Sequence, residues 1–170
     1  MLLEKPYLKH VTGVLMDFDD RNRPENAGMK YRTLIITVKN GIETWRWHLV
    51  DQGVPPEQIY VIDPADRSGF EKVLSEKYIP YAYVIMHWDA LIRVPNMIKN
   101  KGHGIHVWNH VIADEVHYAK NREAKRTVVF KRIKALKKTG LSGTPADDKP
   151  QDFWSIGNWL YPDDPQFSSV

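Results

Sequence analysis

Asp114 and Glu115 stand side by side at the end of an apolar run, Val107-Trp108-Asn109-His110-Val111-Ile112-Ala113, and are followed by Val116-His117. Adjacent carboxylates of this kind suit metal-assisted hydrolysis. Asp114 can hold Mg²⁺, directly or through water, while Glu115 polarises a water molecule. Such a role needs the pair at a place where ligands arrive. A Val/Ile-rich run bounded by polar residues reads as a buried strand of a mostly parallel sheet, and open α/β sheets bind ligands at the C-terminal ends of their strands. Strand-end acids also cap following helices, so the pair alone leaves both readings open.

Other residue types narrow the field. His103, His106, His110 and His117 invite a zinc reading, and His106 and His110 can share one face. The sequence nevertheless contains no His-Glu-x-x-His or similar compact signature, and the metal reading of the histidines is set aside. Ser142 lacks the Gly-x-Ser-x-Gly elbow of a serine nucleophile. The absence of cysteine excludes disulfides and thiolate metal sites and fits a reducing, cytoplasmic setting. Trp45, Trp47, Trp88 and Trp108 can stack on bases, but in amphipathic elements they point first to the core. Trp154 and Trp159 are expected to be structural. Net charge is only +3, yet residues 120–138 carry Lys or Arg at nine positions against one acid, Glu123. That block suits phosphate contact or a solvated helix face.

The elements that must position these residues alternate between strand and helix. A chain of 170 residues with 42% hydrophobic content has enough core for one domain. It contains no apolar run near the roughly 18 residues of a membrane span and no charged-then-apolar leader. Strands are expected at 10–18, 33–38, 58–62, 82–86, 107–113 and 139–142. Helices are expected at 42–50, where Trp45 and Leu49 fall at i and i+4, around 70–78, in short pieces at 87–93 and 95–100, over the basic stretch 122–136, and at 150–160. In the last of these Phe153, Ile156, Gly157 and Leu160 should face inward, with Pro150 in the first turn. Residues 19–30 and 101–104 read as loops. The class is therefore α/β with a mostly parallel sheet flanked by helices.

With that order in hand, the motifs fall into a known sequence. Asp114-Glu115-Val116-His117, then Lys120-Asn121, a basic segment from 124 to 136, Leu141-Ser142-Gly143-Thr144-Pro145 and the stretch from Trp154 to Pro162 follow one another. This series resembles the first ATPase lobe of superfamily-2 helicases and translocases, nearest to the Swi/Snf type, over residues 105–165. Upstream, residues 33–45 (TLIITVKNGIETW) resemble that family's strand, turn and Trp-bearing helix along the nucleic-acid backbone. Residues 84–91 (VIMHWDAL) resemble its next nucleic-acid box. The resemblance implies a RecA-like lobe that uses ATP and Mg²⁺ on DNA. It implies that Asp114 binds the Mg²⁺ of the nucleotide and Glu115 orients the hydrolytic water. It further implies that His117, Ser142, Gly143 and Thr144 couple nucleotide state to nucleic-acid grip, and that Lys39, Asn40, His87 and Trp88 track the strand.

The chain departs from that family's pattern in two places. No Gly-x-x-x-x-Gly-Lys-Ser/Thr phosphate loop occurs. The family would place it directly after residues 13–17, where Phe18-Asp19-Asp20-Arg21-Asn22-Arg23-Pro24 stand instead. Residues 1–31 are accordingly expected to be irregular, with the phosphate-loop region missing from a single lobe that spans 1–170. A second lobe, which closes the nucleotide cleft in that family, is expected on another polypeptide. The alternative expectation is a catalytically inactive DNA- or protein-binding module.

Overall fold

The computed structural model describes residues 32–63, 65, 82–93, 108–143 and 150–167. The expected strand at 10–18, the loops at 19–30 and 101–104, and the helices near 70–78 and 95–100 lie outside these residues. Among these residues five strands form one wholly parallel sheet: β1 (Thr33–Thr37), β2 (Ile59–Val61), β3 (Tyr83–His87), β4 (Trp108–Ala113) and β5 (Ala135–Gly140). Their spatial order is β2-β3-β1-β4-β5. This bears out the α/β expectation.

The sequence puts β1 at the centre for a physical reason. TLIIT is buried at every position, as a parallel strand covered on both faces requires. Alternate residues feed two apolar layers. Leu34, Ile36, Val84, Met86, Val111 and Ala113 face one layer, where Trp88, Phe130, Ile156 and Trp159 pack. Ile35, Tyr83, Ile85 and Ile112 face the other, with Trp45 and Leu49.

The second layer is closed by α1 (Gly41–Asp51), whose Trp45 and Leu49 are its buried residues. The helix ends on Gly53, which has φ +87°. Gly53 N–H donates to Val50 O and Val54 N–H to Leu49 O, both at 2.9 Å. That pair of bonds is the Schellman arrangement, and only glycine takes its left-handed position without strain. The first layer is covered by α2 (Ala90–Arg93), α3 (Lys125–Lys131) and α4 (Pro150–Leu160). In α4, Ile156 and Trp159 enter the core and Leu160 packs against it; the side chain of Phe153 lies outside the described residues.

The basic segment corrects the sequence reading. Its helix covers only Lys125–Lys131, and the next strand begins at Ala135, not at residue 139. Ala-Leu-Lys-Lys has good helix propensity, but pairing decides the conformation. Trp108 aligns with Ala135 and Ala113 with Gly140, so β5 matches the whole length of β4. Lys138 remains compatible with this because its Nζ reaches the Trp159 carbonyl at the C-terminal end of α4, 2.7 Å away, a favourable place for a cation. Burial there holds its ammonium pKa below the ordinary value, with Asp163 pulling the other way.

Candidate functional site

A wholly parallel sheet gathers the C-terminal ends of its strands along one edge. Lys39 and Asn40 follow β1, His87 ends β3, Asp114 and Glu115 follow β4, and Ser142 and Gly143 follow β5. Backbone hydrogen bonds knit these ends together. Asp114 N–H donates to Ile36 O at 2.8 Å, Trp88 N–H to Thr37 O at 3.0 Å, Leu141 N–H to Ala113 O at 2.9 Å and Val116 N–H to Leu141 O at 2.8 Å. The last two fasten the acid pair to the turn that carries Ser142.

Asp114 is half-buried and firmly held. Its Oδ2 accepts from Thr37 Oγ1 at 2.7 Å and from Trp45 Nε1 at 2.9 Å. Its backbone carbonyl accepts from Trp88 Nε1 at 2.8 Å. With Oδ2 engaged by two donors, Oδ1 is the oxygen left to meet a cation or a metal-bound water.

Glu115 stands in the left-handed region, φ 51° and ψ 50°, and is the one non-glycine residue there among those described. This conformation costs a residue with a Cβ roughly 1–2 kcal/mol, and it turns the chain sharply from strand into a 3₁₀ turn, Val116–Ala119. The Glu115 Oε2 lies 3.1 Å from His117 Nδ1. The same ring nitrogen lies 3.1 Å from Ser142 Oγ. Glu115, His117 and Ser142 therefore meet at one nitrogen. If Nδ1 carries the proton it donates to both oxygens; otherwise Ser142 donates to it.

Of the remaining expected residues, Lys39 and Asn40 are exposed and His87 is partly buried. Burial lowers the His87 pKa below its ordinary value, with Lys39 and Arg93 acting in the same direction and Asp89 and Asp63 against it. Trp88 requires a correction. It is 2% exposed, packs against Phe130 and stacks on Tyr118, and its indole supports Asp114, so its ring is not available to track a nucleic-acid strand. Trp47, expected in the core, is 62% exposed, whereas Trp45 and Trp108 are buried. Thr144 lies outside the described residues, as do His103 and His106. His110 is buried, with Nε2 2.8 Å from Thr139 Oγ1 between β4 and β5. The residues that sequence reasoning missed are Thr37, the indole N–H of Trp45 and Gly41. Only an acceptor brought from a distant part of the chain reveals their role.

The site fits Mg²⁺ in one particular way. Among the described residues no group of three or more His, Cys, Asp or Glu side chains can hold a metal ion. One fixed carboxylate matches instead a cation shared with a nucleotide's phosphates, since Mg²⁺ keeps several waters and takes few protein ligands in such sites. The phosphate cradle does not fit the Gly-rich loop, because the sequence has none.

Comparison with known proteins gives a consistent answer. The SNF2-related domain model matches residues 14–168. The TATA-binding protein-associated factor mot1 of Aspergillus fumigatus is 32% identical over 103 residues, covering 61% of this chain and 5% of that protein. The ISWI chromatin-remodeling complex ATPase ISW1 of Saccharomyces cerevisiae is 22% identical over 132 residues, covering 76% of this chain and 11% of that protein. The chain thus spans only a small part of the curated relatives it matches. Among solved structures, the Sulfolobus solfataricus SWI2/SNF2 ATPase core in complex with dsDNA superimposes with a TM-score of 0.65 at 23% identity, covering 86% of this chain and 28% of that one.

Proposed function

The chain belongs to the SNF2-related domain family, and from that premise we propose that it is the N-terminal ATPase lobe of a Swi/Snf-like DNA translocase and works together with a second lobe. The observation that carries this reading is the acid pair at the end of β4, tied by backbone bonds to the hydroxyl-bearing turn after β5. ATP, when bound, would supply the phosphoanhydride bond to be hydrolysed, and its binding would favour closure against the second lobe. Asp114 would hold the nucleotide's Mg²⁺, with Oδ1 the oxygen not engaged by Thr37 and Trp45. Glu115 orients a water and takes its proton. His117 links Glu115 to Ser142, so a shift of either side chain reaches the turn at Ser142 and Gly143, the proposed coupling segment that Thr144 continues in sequence. Lys39, Asn40 and His87 meet the DNA backbone along the same edge of the sheet; the Sulfolobus core was solved with dsDNA.

A second reading, a pseudo-ATPase that binds DNA or a partner without hydrolysis, is favoured by one observation. The sequence offers no Gly-rich phosphate loop. The two readings separate in a phosphate-release assay on the chain alone and mixed with a candidate second-lobe polypeptide, each with and without duplex DNA. DNA-stimulated release that needs the second polypeptide and is abolished by Glu115→Gln is the expected result. Release indifferent to Glu115→Gln refutes the role given to Glu115. No nucleotide binding under any condition, with salt-sensitive DNA binding retained, leaves the binding module.

A further inference from the structure

Asp114 is fastened by residues outside its own box. The Thr37 hydroxyl and the Trp45 indole both donate to Oδ2, at 2.7 and 2.9 Å. A carboxylate gripped twice on one oxygen cannot rotate without breaking both bonds, and hydrogen bonds to an ionised acceptor are the stronger kind. Trp45 is only 5% exposed, so water competes poorly for its N–H. Burial alone does not produce such a bond. Trp159 is at least as buried, and its Nε1 has no hydrogen-bond partner among the described residues. The Trp45 indole is therefore aimed as well as packed.

We propose that Trp45 is a positioning residue for Asp114, and that with Thr37 it holds the carboxylate in the orientation that presents Oδ1 to the cation of a bound nucleotide. This rests on the proposed ATPase function. Both donors flank the segment that carries Lys39 and Asn40: Thr37 ends β1, and Trp45 lies one turn into α1. A displacement of that segment therefore reaches Asp114 through the two donors. Close approach of α1 to the β1 end is essential. A Cβ on Gly41 would fall on Thr37 Oγ1, so glycine keeps the hydroxyl free to point at Asp114.

The test uses the whole 170-residue chain, isotope-labelled for NMR. Trp45→Phe keeps an aromatic ring in the core and removes the donor; Thr37→Val removes the hydroxyl and Thr37→Ser restores it. The Asp114 carboxyl-carbon resonance is expected to move in Trp45→Phe and Thr37→Val and to return in Thr37→Ser. The Trp88 indole signal, bonded to the Asp114 backbone carbonyl, should stay in place and report an intact strand end. In Asp114→Ala the Trp45 indole proton should lose its slow exchange while that of Trp88 keeps it. The Mg²⁺ concentration that half-saturates binding of a fluorescent ATP analogue should rise about 10- to 100-fold in Trp45→Phe, the usual effect of losing a partner that orients a metal ligand. An unmoved Asp114 carboxyl resonance in Trp45→Phe and Thr37→Val overturns the proposal. So does a Trp45 indole proton indifferent to Asp114→Ala. A wild-type chain that binds no nucleotide at any Mg²⁺ concentration overturns the ATPase reading instead, and the resonance and exchange results still decide whether Trp45 and Thr37 position Asp114.

Discussion

Replacing Gly41 by alanine should destabilise this protein, although helix propensity argues the reverse. An alanine in place of a helical glycine ordinarily gains up to about 1 kcal/mol. Here the added Cβ would collide with Thr37 Oγ1 and lie 3.3 Å from Val38 Cγ2. Val38 can yield slightly, being a partly buried side chain at the edge of the core. The Thr37 hydroxyl yields only by leaving Asp114, a charge-assisted bond of 2.7 Å whose loss costs about 1.5–3 kcal/mol. The net effect is a loss of roughly 0.5–2 kcal/mol. For a chain of this size that lowers the melting temperature by about 1–8 °C. Thermal unfolding followed by circular dichroism measures it, and a double-mutant cycle identifies the cause. In a Thr37→Ala background the obstructing oxygen is gone, and Gly41→Ala should become neutral or stabilising. A melting temperature raised by Gly41→Ala in the wild-type background would refute the reasoning, as would equal losses in both backgrounds.

Two further predictions concern the same end of the molecule. The buried Ser155 hydroxyl of α4 donates to the Ala119 carbonyl at 2.8 Å, tying the helix to the turn that follows Glu115. Ser155→Ala should cost about 1–3 kcal/mol, read as a lower urea midpoint with an unchanged denaturant slope. His87 is protonated less readily in the folded chain than in the unfolded chain, whose ordinary pKa is 6.5. The unfolded state thus takes up the proton first on acidification, and the stability contributed by neutral His87 is complete above that value and lost as pH falls through the lower folded one. The melting temperature of the wild type should therefore drop more steeply than that of His87→Gln between about pH 7.5 and 5.5. Parallel curves for the two proteins would exclude His87 as the source.

How much of the fold and site was legible in the sequence depended on how local each feature is. β1 and β4 announce themselves because strands buried on both faces become continuous apolar runs. The α1 helix was readable from Trp45 and Leu49 one turn apart, and the helix near the end of the chain from Pro150 onward. The start of β5 was not readable, since Ala-Leu-Lys-Lys favours a helix and only pairing with β4 converts it. Trp45 and Trp47 look alike in sequence, but two positions along a helix point to different sides, and only one of them finds the core. The acid pair was recognisable from its neighbours. The partner of the Trp45 indole was not, because it lies 69 residues away and no periodicity encodes a contact at that distance.

The placement of β1 at the middle of the sheet also has a consequence for how the chain is made. Thr37 meets Asp114 across 77 residues, the same distance that separates the aligned Thr33 and His110. At roughly 5–20 residues per second on a ribosome, β1 leaves the tunnel several seconds before both of its flanking strands exist. For that interval Thr-Leu-Ile-Ile-Thr is an uncharged, β-prone segment with two open edges, the kind that recruits other chains. The site at its end is therefore assembled late, and the strand at the heart of the fold is also the one that most needs shelter during synthesis.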